Sequence, residues 1–150
     1  MNMINSKLPN GWVLNENPAA FINLRDTLSK LIASYNNSLT GLPDEQFIAV
    51  SINDENGSIV GGLAGRTSLG VLFINLLYVP EVLRGQGIGS ELLKRAEKLA
   101  IDRGCTNAVL FTMSIQSPNF YLNLGYERFG EIECLPKGNS RIFMRKNLEL

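Results

Sequence analysis

The chain has 150 residues, is 45% apolar and balances 14 basic against 14 acidic side chains, with two cysteines and no histidine. That length and composition fit one folded domain spanning residues 1–150, and they exclude wholesale disorder. The neutral balance argues against a nucleic-acid or anionic-membrane surface, and the missing histidine removes every Ser-His-Asp or Cys-His mechanism.

Cys105 and Cys134 fit no paired ligand spacing, so no metal is expected and both read as reduced structural thiols. Met1-Asn2-Met3-Ile4-Asn5 lacks the apolar core of a signal, and no run of about 20 apolar residues occurs. A cytoplasmic location is expected.

In chain order, Trp12-Val13-Leu14 predicts a short strand, and Asn17-Pro18 a helix start with proline in the first turn. Phe21, Leu24, Leu28, Leu31 and Ile32 follow with helical spacing. Tyr35-Asn36-Asn37-Ser38 and Thr40-Gly41-Leu42-Pro43 read as a loop. Phe47–Ile52 and Ile59–Ala64 predict an antiparallel pair around the turn Asp54-Glu55-Asn56-Gly57. Val71–Val79 is nearly all apolar and predicts a central strand buried on both faces.

Ile88–Arg103 predicts an amphipathic helix. Ile88, Leu92, Leu93, Ala96, Leu99 and Ala100 lie on its apolar stripe, with Glu91, Lys94, Arg95, Glu97 and Lys98 outside it and Gly104 as the stop. Ala108–Met113 is the next strand, so strand, helix and strand imply parallel pairing. Ser117-Pro118 opens a short helix ended by Gly125, and strands around Glu127–Glu133 and Arg141–Lys146 complete the chain. The fold class is mixed α/β, a central sheet of about six to seven strands flanked by helices.

Between Val79 and the long helix stands Arg84-Gly85-Gln86-Gly87-Ile88-Gly89-Ser90. A helix N-terminus presents unpaired N–H groups and a positive partial charge, which together attract anions. The three glycines admit close approach and unusual φ, Arg84 adds a charge, and Ser90 adds a hydroxyl. Taken alone, such a loop can also be no more than a tight turn. A dinucleotide fingerprint would need its third glycine at the position of Ser90, and a P-loop would need a lysine after the glycines; neither is present.

The loop resembles the acyl-CoA-binding motif of the GNAT superfamily of acetyl-CoA-dependent N-acetyltransferases, Gln/Arg-x-x-Gly-x-Gly/Ala, with Arg84, Gly87 and Gly89 in its defining positions. The flanks Leu77–Glu81 and Leu92–Glu97 agree, and the resemblance runs from about Phe47 to Tyr126. It implies that Arg84, Gly85, Gln86, Gly87, Ile88, Gly89 and Ser90 hold the coenzyme A diphosphate. It further implies that the pantetheine arm pairs with exposed backbone near Tyr78 and Val79, where the central strand splays from its parallel neighbour, and that Asn119 contacts the coenzyme. Tyr121 matches the family's proton donor to the departing thiolate, a role its hydroxyl pKa near ~10 suits. Tyr126 reads as structural, and Ser114 and Ser117 as local hydrogen-bonding groups.

Some relatives carry a glutamate base on the central strand; the comparable position here is Ile74, between Phe73 and Asn75. Glu81 is badly placed, and Glu131 and Glu133 read as solvated, which leaves proton removal through ordered waters. The implied partners are acetyl-CoA as acyl donor and an amine acceptor, with no nucleic acid and no membrane, and with a homodimer left open. The acceptor would lie between Ser34–Pro43 and the hairpin Cys134–Arg141, with Arg141 offered as an anion contact. A non-catalytic acyl-CoA-binding module and a protein N-acetyltransferase are the alternative readings.

Overall fold

The computed structural model describes residues 7–42 and 45–149. It divides into two compact units, one ending at Thr40 and one beginning at Gly41.

In the first unit a 3-10 turn, Pro18–Ala20, runs into helix α1, Phe21–Thr40. The start is as expected: Asn17 is extended, its side chain accepts a hydrogen bond from the Ala19 N–H at 3.2 Å, and Pro18 follows it. Two expectations fail. Trp12–Leu14 form no strand, because a three-residue run has no sheet neighbour to pair with and enters instead from a turn closed by the Trp12 N–H on the Pro9 carbonyl. Tyr35–Ser38 are helical, not loop. No glycine or proline interrupts the run up to Thr40, and Ser38 Oγ donates back to the Tyr35 carbonyl at 2.6 Å, so a polar side chain is absorbed by the helix's own backbone. Gly41, at φ +72°, follows the helix's last residue. Pro43 and Met1–Asn5 lie outside the described residues.

The second unit is a six-stranded sheet with two helices. Strands β1 (Glu45–Asn53), β2 (Ile59–Ser68) and β3 (Val71–Tyr78) form an antiparallel meander. Asp54 accepts from the N–H groups of Asn56 and Ser58, both at 2.9 Å, to fix the first turn. Helix α2 (Ile88–Asp102) leads to β4 (Asn107–Met113), which pairs parallel to β3. Helix α3 (Pro118–Asn123) leads to β5 (Glu127–Cys134) and β6 (Asn139–Asn147). The order is β1-β2-β3-β4-β6-β5, so β6 enters between β4 and β5. Leu72 and Ile74, Leu92, Leu93, Ala96 and Ala100, Ala108 and Leu110, and Ile142 and Met144 make the core.

Strand β3 is not buried on both faces. Leu72 and Ile74 are buried, whereas Leu76 is 72% exposed. The pairing explains this: Gly65 faces Ile74 and Ala64 faces Leu76, which leaves Asn75 as an extra residue. A bulge reverses the alternation, so Leu77 and Val79 turn onto the core in place of Leu76 and Tyr78. Gly65 permits it, since a Cβ there would stand 2.5 Å from the Phe73 carbonyl oxygen.

The stripe on α2 also differs from expectation. Glu97 is 8% exposed and Leu99 41% exposed. Glu97 lies one turn beyond Leu93 and next to Ala96 and Ala100, so it inherits the buried face. Its carboxylate is satisfied there by the Tyr126 hydroxyl at 3.0 Å and by Lys146 Nζ at 2.9 and 3.1 Å.

Candidate active site

Strands β3 and β4 pair only from Val71 to Phe73 against Asn107 to Val109. Beyond that the bulged end of β3 and the rest of β4 part. Between them opens a cleft of about 790 Å³, lined by Leu77, Tyr78 and Val79 on one side and Thr112 on the other. Its far walls come from the glycine loop with the start of α2 and from Ile115–Ser117 with Phe120 and Tyr121.

The three glycines earn their places for two different reasons. Gly85 at φ +75° and Gly87 at φ +79° adopt left-handed backbone, and a Cβ on either would point into open space. Gly89 has ordinary φ, but its Cβ would stand 3.1 Å from Phe120 Cζ, so it lets α3 approach α2. Gly87 caps α2 without a side-chain bond, and the first intrahelical bond runs from the Glu91 N–H to the Gly87 carbonyl. The N–H groups of Gly87, Ile88, Gly89 and Ser90 are thus the four that helix geometry leaves for another acceptor.

Arg84 Nε donates to the Val79 carbonyl at 2.9 Å, and its guanidinium stands 5.8 Å from the Tyr78 ring. The arginine therefore splints the end of β3 to the loop and holds its charge at the cleft. The Val79 carbonyl, within the stretch of backbone near Tyr78 and Val79 expected to pair with a pantetheine arm, is engaged by this bond. Gln86 Nε2 donates to the Val82 carbonyl at 3.2 Å and lies outside the lining.

Tyr121 lines the cleft at the middle of α3, edge-on to Phe120 at 5.0 Å and to Tyr126 at 5.9 Å. Burial pushes its hydroxyl pKa up from the usual value, so the group keeps its proton at neutral pH. Asn119, one position into α3, is exposed and outside the lining. Tyr126 is buried, and its pKa is pushed up by burial and by the Glu97 carboxylate that accepts its proton. Cys105 is buried, and its thiol is raised by burial against the opposing charge of Arg103.

Among the described residues, none that lines the cleft is acidic. Ile74 is in the core, Asn75 is the exposed bulge, and Glu81 is exposed. Glu133 is exposed, and Glu131 accepts a hydrogen bond from Ser140 Oγ. Arg141 lies over Phe111 at 5.6 Å. Ser114 Oγ donates to Asn139 and accepts from the Ser140 N–H, and Ser117 is the N-cap of α3. Among the described residues no group of three or more His, Cys, Asp or Glu is arranged to hold a metal, and no helix is long and apolar enough to cross a membrane.

Sequence reasoning missed Thr112 and Gln116. Thr112 did carry a signal: it continues the inward alternation of Ala108 and Leu110, and a polar residue on the buried face of a strand needs a partner. Gln116 supplies it, as its Oε1 accepts from Thr112 Oγ1 at 3.1 Å and from the Met113 N–H at 3.0 Å.

The chain as a whole resembles known proteins. Residues 11–130 match the model of the acetyltransferase (GNAT) family. An acetyltransferase of Agrobacterium fabrum is 36% identical over 115 residues, covering 77% of this chain and 84% of its own. Blasticidin-S acetyltransferase of Streptomyces morookaense is 36% identical over 95 residues, covering 63% and 70%. A crystal structure of a candidate acetyltransferase from Agrobacterium tumefaciens superposes with a TM-score of 0.74 at 34% identity, covering 91% of this chain and 98% of that one. The chain belongs to the GNAT acetyltransferase family, and its mixed sheet is the fold of that family.

Proposed function

We propose that this protein transfers an acetyl group from acetyl-CoA directly to a primary amine of a small molecule or peptide, in the cytoplasm. The observation that carries the reading is the parting of β3 and β4 beside the N-terminus of α2, with Tyr121 on the opposite wall. The acetyltransferase names of its relatives support the reaction class, and the relative named for blasticidin-S favours a small acceptor.

The residues present fit a coenzyme A diphosphate. Two left-handed glycines whose missing side chains face open space, four amides at a helix start and one arginine form a cradle for an anion. Arg84, Gly85, Gly87, Ile88, Gly89 and Ser90 would hold the diphosphate, and Leu77–Val79 would flank the arm. Bound acetyl-CoA supplies an activated acyl carbon and a thiolate leaving group.

Tyr121 serves that leaving group. Its raised pKa makes it a weaker acid than a thiol of pKa near ~8.5, so complete transfer of the proton is uphill. The hydroxyl instead donates a hydrogen bond that strengthens as charge builds on sulfur. The cleft lining offers no carboxylate to deprotonate the amine, which favours release of that proton to water.

A panel of amines incubated with acetyl-CoA, with free thiol followed, tests the reading. Thiol release with one amine class supports it; coenzyme binding without release for any amine replaces it with a binding module. The pH–rate profile of the active pair should show no enzyme ionisation below the amine's own pKa, and a base near neutrality would sink the water route.

A further inference from the structure

The short link between β4 and α3 holds a carboxamide in a fixed orientation on the cleft wall. Gln116 Oε1 accepts two hydrogen bonds, from the Met113 N–H at 3.0 Å and from Thr112 Oγ1 at 3.1 Å. A backbone N–H can only donate, so it identifies the oxygen end of the amide. Two bonds on Oε1 fill its acceptor sites, and turning the amide over would set its NH2 against the Met113 N–H, donor against donor. The NH2 end is thereby set, although the residue as a whole is exposed. Thr112, one of the two anchors, is buried in the wall behind it.

We propose that Gln116 is a ligand-binding residue of the cleft, presenting its NH2 donors to a carbonyl oxygen of the acyl donor. This rests on the acyl-donor reading of the same cleft. The chemistry selects the ligand group. A neutral pair of N–H donors suits a neutral acceptor, whereas the charged Arg84 and the α2 amides at the loop end of the cleft suit an anion. An acyl-CoA brings carbonyl oxygens of two kinds, the amides of its arm and the thioester itself. Asn119, the carboxamide expected to touch the coenzyme, is outside the lining, so among the described residues Gln116 is the carboxamide that the cleft contains.

Two variants separate donation from the anchoring of the link. In Gln116→Glu a carboxylate oxygen can still accept from Met113 and Thr112, but no donor remains. Gln116→Met is similar in length, uncharged, and neither donates an N–H nor anchors the link. Calorimetry with coenzyme A on the unmodified protein comes first: if it does not bind, the acyl-donor reading falls, whatever Gln116 does. If both variants weaken coenzyme A binding about tenfold, the donors serve the arm. If both leave that binding intact and lower kcat about 100-fold, they serve the thioester carbonyl. The proposal is overturned if only Gln116→Met is impaired, which makes Gln116 an anchor alone. It is equally overturned if only Gln116→Glu is impaired, which is charge repulsion, or if neither variant changes either quantity.

Discussion

Tyr121 and Tyr126 are five residues apart, and their rings meet edge-on with centroids 5.9 Å apart, yet the two hydroxyls live in opposite settings. The Tyr126 hydroxyl is directed inward to Glu97, where Lys146 completes a buried knot joining α2 to β6. Tyr121 lies on the cleft wall, packed by Phe120 and Tyr126, and among the described residues no carboxylate lines that cleft. Burial raises both pKa values, but the Glu97 charge raises only that of Tyr126. The Tyr126 hydroxyl is committed to a carboxylate of the fold, whereas Tyr121 is packed against rings beside the cleft. Substitutions on the cleft side should therefore remove function and spare stability, and those in the knot should do the reverse.

The largest expected effect breaks or upholds the cleft half of that contrast. Tyr121→Phe keeps the ring packing and removes only the hydroxyl. It should lower kcat roughly 100-fold or more while acetyl-CoA affinity and the melting temperature hold. Unchanged turnover would take Tyr121 out of the mechanism. Gly87→Glu comes next. The φ of +79° strains any side chain, and the carboxylate would meet the diphosphate with like charge. Coenzyme binding should weaken about 100-fold by calorimetry; normal binding would remove the loop from the site.

In the knot, Glu97→Ala strips the partner from the Tyr126 hydroxyl and from Lys146. Breaking a buried pair costs about 3–5 kcal/mol, but the Lys146 side chain is 25% exposed and can be rehydrated, so roughly 2 kcal/mol is expected here. Urea unfolding measures it. Coenzyme affinity should stay within a factor of about two, since the knot touches no residue of the loop. A large loss of affinity at wild-type stability would erase the distinction between the two regions.

How far the sequence could be read follows the same division. The glycine loop, the buried α2 positions Leu92, Leu93, Ala96 and Ala100, the parallel β3–α2–β4 unit and the α3 segment were legible because each depends on local chemistry: glycine, helical spacing, a proline in the first turn of a helix. Glu97 was misread because a helical wheel sorts charge outward and cannot see that Tyr126 and Lys146, from 29 and 49 residues away, arrive to satisfy it. The β3 bulge at Asn75 was invisible for a related reason. An apolar run does not reveal its register, which Gly65 on the neighbouring strand decides. Gln116 was overlooked because its place on the cleft wall depends on being clamped by Thr112 and Met113, a property of the folded link.

The smallest effect is also the most specific to the knot. Tyr126→Phe removes one hydrogen bond to a carboxylate that keeps Lys146, so about 1 kcal/mol of stability should be lost near pH 8. The difference should then shrink as the pH is raised. In the unfolded chain Tyr126 ionises near ~10, whereas the folded protein holds its proton to a higher pH. Below pH ~10 both states carry the proton, and the stabilisation that goes with the raised pKa is fully present. Above it the unfolded chain releases a proton that the native state retains, so wild-type stability falls by up to about 1.4 kcal/mol per pH unit. Phenylalanine has no proton to lose, so this pH dependence is absent from the variant. Urea unfolding curves at pH 8 and pH 11 should therefore be separated at the lower pH and nearly superimposed at the higher. A separation that persisted at pH 11 would mean that the folded protein does not hold the Tyr126 proton above its ordinary pKa, and the buried, carboxylate-bound setting that sets Tyr126 apart from Tyr121 would be lost.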